Sequence, residues 1–340
     1  MRIEYQNDLC IHYPLFMHSS GIFTELYKAP EIGLLKTEGQ QMGGRDYIKS
    51  DAFAAGIVVH DLLTNGKHAF LGKSNPETLM NMTKCDRTAL QASPVDEFAR
   101  NLIWSLTHKD PNKRITMEEA LQSPFFFDDS THIQFINVLN EYLIQMDDSK
   151  PHTKAIKSEL NKTFFMLFLE PWKKLDFVLE KMLKRSKYTN SVVCFLRHNR
   201  NLLLHAAQHQ ELLVESFGKA HSDVELLQLI LKFVPPFLIH LYWFAKRYLP
   251  HIELAQKFPD KCVQAYEEQM EAKKKELADK LPDLLSIIEE DAKAPKVDVD
   301  ELKCMEVLLI NMSRSFCILI LGVPKKIVFW HFQYYQNYLG

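Results

Sequence analysis

The chain has 340 residues, 46% of them hydrophobic and 25% charged, with only 11 glycines. That composition excludes a disordered, collagen-like or low-complexity chain, and the length suggests two compact units with separate cores. Lys and Arg number 41 against 43 Asp and Glu, a formal net charge of -2, so any attraction to a polyanion must come from a local patch.

Six cysteines at positions 10, 85, 194, 262, 304 and 317 include no tight pair that could begin a zinc site, and free thiols in a reducing compartment are expected. The amino terminus carries no basic-then-apolar signal, and the longest clean apolar run, 316–323, is far shorter than the roughly 20 residues that span a bilayer. The expectation is a soluble chain without membrane contact.

Taken in chain order, Gly21, Pro30, Gly33, Gly39, Gly43, Gly44, Gly56, Gly66 and Gly72 punctuate the first third as loops between helices. Apolar residues recur at three- and four-residue spacing in 57–63, 98–106, 133–143 and 226–248, which predicts helices. Strand signals are few. A polar break at 147–154 predicts a loop. Residues 267–280 are nearly all Glu, Lys, Ala and Gln and predict a solvated helix with charge pairs. From Leu302 the chain is apolar again and ends in Phe329, Trp330, Phe332, Tyr334, Tyr335 and Tyr338. The expected class is mainly α.

Four ordered motifs occupy the first third. Tyr27-Lys28-Ala29-Pro30-Glu31 contains an Ala-Pro-Glu triplet, and Ser50-Asp51-Ala52-Phe53-Ala54-Ala55-Gly56 opens a helix. Asn65-Gly66-Lys67-His68-Ala69-Phe70 follows, then Asp110-Pro111-Asn112-Lys113-Arg114 with Ser123-Pro124-Phe125-Phe126. In this order they resemble the carboxy-terminal lobe of a protein kinase, from the end of the activation segment onward, with Ala69 departing from the usual Pro. The resemblance implies an ion pair between Glu31 and Arg114, whose forked geometry suits Arg and not Lys. It also implies that Asp51 would accept backbone N–H bonds from a catalytic loop. Nothing before Tyr27 supplies a Gly-rich loop, a strand Lys, a His-Arg-Asp loop or an Asp-Phe-Gly site, so phosphoryl transfer is not expected.

Further on, His132-Ile133-Gln134-Phe135-Ile136 leads towards Leu196-Arg197-His198-Asn199-Arg200-Asn201-Leu202-Leu203-Leu204-His205. From the residues alone, Arg197, Asn201 and His205 are four apart on one helix face, with Arg200 beside them. RNA can be cut without a metal when its own 2′-hydroxyl attacks the phosphorus. That reaction needs a proton acceptor, donors for the phosphate oxygens and an acid for the 5′-leaving oxygen. His205 can be the acid, since imidazole titrates near working pH, and Arg200 and Asn201 can hold the phosphate. The window from Lys181 to His205 holds Lys181, Lys184, Arg185, Lys187, Arg197 and Arg200 and no Asp or Glu, a local basic patch inside a neutral chain. His198 and Asn199 have no chemical task in this scheme.

These segments resemble the kinase-extension nuclease (KEN) family, which comprises the unfolded-protein-response sensor kinase/endoribonucleases and the oligoadenylate-activated RNase L. Trp172-Lys173-Lys174 and Val234-Pro235-Pro236-Phe237-Leu238-Ile239-His240-Leu241-Tyr242 agree, with Val234 and Phe237 departing from the family's Phe and Leu. The resemblance adds Tyr188 as the residue that helps to deprotonate or orient the 2′-hydroxyl. Tyr188 lies 12 residues before Arg200, a loop one residue shorter than in the sensor enzymes. Arg197, Lys184, Arg185 and Lys187 would hold RNA.

The expected organisation is a partial kinase lobe over 1–127, an all-helical KEN ribonuclease domain over 128–258 and an uncharacterised helical extension over 259–340. The implied activity is metal-independent endoribonuclease cleavage to a 2′,3′-cyclic phosphate, activated by dimerisation. The alternative is a catalytically dead interaction module that modulates full-length relatives. No cofactor is expected for RNA cleavage. ATP or ADP, bound by full-length relatives, is not expected to bind here. Implied partners are RNA and a homodimer or heterodimer with full-length relatives. The location would be cytoplasmic, on the cytosolic face of the endoplasmic reticulum if the parent is a membrane-spanning sensor.

Overall fold

A computed structural model describes residues 25–32, 44–167, 192–204, 210, 211, 214, 222–233 and 236–291. The described residues form helices and turns, with no strand among them. They fall into two compact units, one running to Val95 and including Leu106–Thr116, the other made of Asp96–Ser105 and Met117 onward.

In the first unit, helix α1 (Gly44–Leu63) continues well upstream of the predicted 57–63. It buries Ala52, Phe53, Gly56, Ile57 and His60, the stripe that helical periodicity places on one side. The helix stops because Asn65 and Gly66 both take left-handed backbone, φ 56° and 87°. There the Gly66 N–H reaches back to the Asp61 carbonyl at 2.7 Å. Helix α2 (Asn75–Lys84) starts at Ser74 in extended conformation and ends at Cys85 in left-handed conformation. Gly72 fits where it does because a Cβ there would stand 2.7 Å from Glu77 Cγ and 2.9 Å from the Thr78 nitrogen. A short helix α3 (Thr88–Ala92) follows.

The second unit contains α4 (Glu97–Leu106), α5 (Met117–Ala120), a 3₁₀ turn at Pro124–Phe126, α6 (Asp129–Gln145), α7 (Pro151–Leu167), α8 (Val192–Leu204), α9 (Asp223–Phe233), α10 (Phe237–Tyr248), α11 (Glu253–Gln256) and α12 (Asp260–Asp291). Asp128 caps α6 by accepting the Thr131 N–H at 2.7 Å. His132, Ile133, Phe135, Ile136, Leu139, Asn140 and Leu143 then turn inward at helical spacing. The stretch 226–248 is two helices, not one: α9 ends at Phe233 and Pro236 is the N-cap of α10. Consecutive prolines offer no N–H groups to carry a helix through. Helix α10 is buried on every side from Phe237 to Ala245, and the Tyr242 ring stacks on Phe135 with centroids 3.8 Å apart.

At α12 the predicted solvated helix is exposed at Glu271, Lys273 and Lys275 and carries a Lys274–Glu271 pair, but its front meets the core. Its first turns bury Cys262, Val263, Ala265, Tyr266 and Met270. Its acids meet indole donors: Trp243 Nε1–H donates to Glu267 at 3.0 Å and Trp104 Nε1–H to Glu268 at 3.1 Å. Asn101 of α4 donates to the Cys262 carbonyl at 3.0 Å. The residues just after 259 are therefore core of the second unit, and the acids that look solvated in sequence are acceptors for buried rings. No single described helix is long and apolar enough to cross a membrane.

Candidate active site

Helix α8 carries the predicted phosphate-binding residues, and its sequence explains how they are presented. Val192, Phe195, Leu196, His198, Asn199, Leu202 and Leu203 are buried, on the side that packs against α6, α7 and α9. The first turn is pinned by the Val192 N–H donating to Asn161 Oδ1 of α7 at 2.8 Å, which satisfies one of the orphan donors of a helix start. What remains outward is Arg197 (exposed), Arg200 and Asn201 (half-buried) and Leu204 (exposed). Positions 197, 200, 201 and 204 form one face at 3.6-residue periodicity.

On that face Arg200 Nη1–H donates to Asn201 Oδ1 at 3.0 Å. Its Nη2 stands 3.6 Å from Glu141 Oε1 of α6. The Arg200 Nε is buried and meets no acceptor among the described residues. The bond to Asn201 engages one N–H of the guanidinium, and Nη2 faces the Glu141 carboxylate. His198 and Asn199 point the other way. They are 4% and 1% exposed, and Asn199 donates to the Phe195 carbonyl at 3.0 Å.

The structure brings together Arg197, Arg200 and Asn201. His205, Tyr188, Lys184, Arg185 and Lys187 lie outside the described residues, as do Trp172 and the terminal aromatics. Glu141 was not singled out from the sequence. It is an exposed residue on α6, and nothing in the local pattern announces that it meets an arginine 59 positions away.

Two buried histidines sit behind the site, in the core of the same unit. His132 Nδ1 and the Tyr242 hydroxyl are 3.2 Å apart, and burial pulls His132 down to about 4. His240 is fully buried and held down to about 3 by the same cause. Its Nε2 is 3.0 Å from Thr163 Oγ1, which itself donates to the Glu159 carbonyl. The imidazole therefore donates from Nε2 and accepts at Nδ1, where the Tyr266 hydroxyl stands 3.4 Å away. Both rings are neutral packing groups, and burial likewise raises the Tyr242 and Tyr266 hydroxyls.

In the first unit Glu31 and Arg114 meet as a two-pronged pair, Nη1 to Oε1 at 2.5 Å and Nη2 to Oε2 at 2.7 Å. Arg114 also donates to the carbonyls of His108 at 2.7 Å and Lys49 at 3.0 Å. Its guanidinium carbon lies 4.9 Å from the Phe53 ring centroid. The Asp110-Pro111-Asn112 turn, held by Asn112 N–H to Asp110 Oδ1 at 2.9 Å, delivers Arg114 to that place. His68 accepts the Phe70 N–H at Nδ1 and donates from Nε2 to the Leu26 carbonyl at 2.8 Å, which ties the Ala-Pro-Glu segment to the Gly66–Phe70 turn. Asp51 is exposed on α1.

Comparison with known proteins agrees with this part of the geometry. Residues 11–126 match the protein kinase domain family. Among curated relatives, the Caenorhabditis elegans serine/threonine-protein kinase/endoribonuclease ire-1 is 24% identical over 197 residues, covering 56% of this chain and 20% of the relative. A probable serine/threonine-protein kinase irlB of Dictyostelium discoideum is 26% identical over 221 residues, 58% of this chain and 15% of its own length. The serine/threonine-protein kinase/endoribonuclease IRE1 of Hypocrea jecorina is 27% identical over 210 residues, 59% of this chain and 16% of its own length. The chain thus spans a fifth or less of the length of these three relatives. The match to the protein kinase domain lies in the amino-terminal third, and the described helices there are consistent with the carboxy-terminal lobe of a kinase.

Proposed function

We propose that this chain is a metal-independent endoribonuclease of the kinase-extension type, cleaving single-stranded RNA by attack of the substrate's own 2′-hydroxyl. The observation that carries the reading is the Arg200–Asn201 pair. A guanidinium and an amide, bonded to one another, stand on the outward face of a helix whose other side is fixed in the core. Arg197 extends that face by one turn. Two relatives whose names include endoribonuclease support it, and their similarity covers more of this chain than residues 1–127 could supply.

In this reading Arg200 and Asn201 donate to the non-bridging phosphate oxygens and stabilise the charge that grows on them as the phosphorus becomes five-coordinate. His205, one helical turn beyond Asn201 in sequence, protonates the 5′-oxygen as it leaves, and Tyr188 assists the 2′-hydroxyl. DNA, without that hydroxyl, is inert. Self-association or pairing with longer relatives would regulate the activity, and the kinase-type segment serves as scaffold.

The test is cleavage of a stem-loop RNA in the presence of a metal chelator. Products should carry a 2′,3′-cyclic phosphate and a 5′-hydroxyl. Asn201→Ala or His205→Ala should lower the rate roughly a hundredfold or more. Undiminished cleavage in those variants, or none by the parent chain at any concentration, overturns the proposal.

A further inference from the structure

Glu141 has no place in the chemistry just described, yet it is the one acid among the described residues that the structure pairs with the α8 basic face. It comes from a different helix, α6, and α6 and α8 pack together along their apolar sides. At 3.6 Å from Arg200 Nη2 the contact is an ion pair and not a tight hydrogen bond. The two partners are unequally anchored. The Glu141 side chain is 59% exposed and the Arg200 side chain 25%, with Arg200 further held by its bond to Asn201. A carboxylate and a phosphate compete for the same guanidinium donors, because both present oxygen acceptors with negative charge.

We propose that Glu141 is a displaceable counter-ion that occupies the phosphate position on Arg200, so that RNA must expel it to bind. This rests on the nuclease reading above and adds a regulation of the same site. Three features fit displacement rather than permanent pairing. The carboxylate has solvent to retreat into. The pair is long enough to break at little cost. The guanidinium keeps its orientation through Asn201 when Glu141 leaves. Anything that draws Glu141 away, such as a cation brought in by an associating chain, would then raise affinity for RNA without touching the residues that perform the reaction.

The experiment is a binding titration of the full chain with a short fluorescent single-stranded RNA whose riboses are blocked by 2′-O-methyl groups, so that nothing is cut. Glu141→Gln, which keeps the shape and removes the charge, should bind roughly threefold more tightly, the range expected of one exposed ion pair. Glu271→Gln, the same change at an exposed acid paired with Lys274 on α12, should leave affinity unchanged. In an Arg200→Ala background, Glu141→Gln should gain nothing. If Glu141→Gln binds equally or more weakly while Arg200→Ala still weakens binding, the counter-ion proposal fails and the nuclease reading stands. If the gain persists without Arg200, or Glu271→Gln produces it too, the effect is general charge removal and the proposal fails. If the parent chain binds no RNA, the nuclease reading fails and takes this inference with it.

Discussion

Replacing Arg114 by Lys, a change that keeps the charge, should cost the first unit about 3 kcal/mol, and Arg114→Ala more. Arg114 is 2% exposed and its guanidinium N–H groups are directed to Glu31 Oε1 and Oε2 and to the carbonyls of His108, Lys49 and Lys109. An ammonium has three donors on a single point and cannot span both carboxylate oxygens and the carbonyls on either side. Two charge-assisted bonds are lost at about 1.5 kcal/mol each, and the stacking over Phe53 goes with them. With Ala the Glu31 carboxylate is also left without its cation, and truncating one partner of a buried pair costs about 3–5 kcal/mol. The Glu31 side chain is 20% exposed, so about 4 kcal/mol, short of the upper end of that range, is expected. Because the two units need not unfold together, the readout is hydrogen exchange of peptides from α1 as a function of urea, not a whole-chain melt. Glu31→Gln in the Arg114→Ala background should add little, since the pair is already broken. A Lys variant within about 1 kcal/mol of the parent in α1 opening would refute the claim that the fork, and not the charge, holds this segment.

Stability of the second unit should fall on mild acidification. His132 and His240 have folded pKa values lowered to about 4 and about 3 from 6.5, so the unfolded chain binds more protons below pH 6.5. The stability they contribute is complete above 6.5 and is lost as pH falls towards those values, at about 1.4 kcal/mol per pH unit for each ring. Urea midpoints of α10 peptides that do not move between pH 6.5 and 5 would refute it. Gly72→Ala should destabilise the first unit by about 1–3 kcal/mol, because the new methyl would meet both the Glu77 side chain and the Thr78 backbone nitrogen inside contact distance. A melt that is unchanged would show that α2 can shift to make room.

How far the sequence could be read depended on whether a feature is local. The kinase-type order from Ala29-Pro30-Glu31 to Arg114 was legible because each motif is a short turn with its own residue demands, and the fork between Glu31 and Arg114 follows once both ends are recognised. The body of α6 was legible from the apolar spacing of 133–143, whereas its start at the Asp128 cap was not singled out. The division of 226–248 was written in Pro235-Pro236, but apolar periodicity on both sides masked it, since each half alone satisfies the same pattern. The front of α12 misled for a physical reason. Glu267 and Glu268 look like solvated charges, and only the two indoles that reach them from α10 and α4 make them partners of the core. Glu141 was invisible because its partner lies on another helix, and an exposed acid on an amphipathic helix is the commonest thing in a sequence.

The candidate site illustrates how one helix can separate structure from chemistry. Five successive polar residues, Arg197, His198, Asn199, Arg200 and Asn201, read in one dimension as a uniformly hydrophilic stretch that ought to face water. At about 100° per residue they cannot all do so. His198 and Asn199 turn inward with Phe195, Leu202 and Leu203, and the Asn199 amide donates to the Phe195 carbonyl of its own helix. Their burial fixes the rotation of α8, and that rotation is what sends Arg197, Arg200 and Asn201 outward together. A helix held this way leaves Arg200 little freedom beyond its own rotamers, and the bond to Asn201 removes part of that. Ordering the guanidinium against a phosphate therefore costs less than it would on a loop. On the proposed nuclease reading, replacing His198 or Asn199, neither of which faces the solvent, should weaken RNA binding by loosening the helix that aims Arg200, although no polar contact with the ligand is lost.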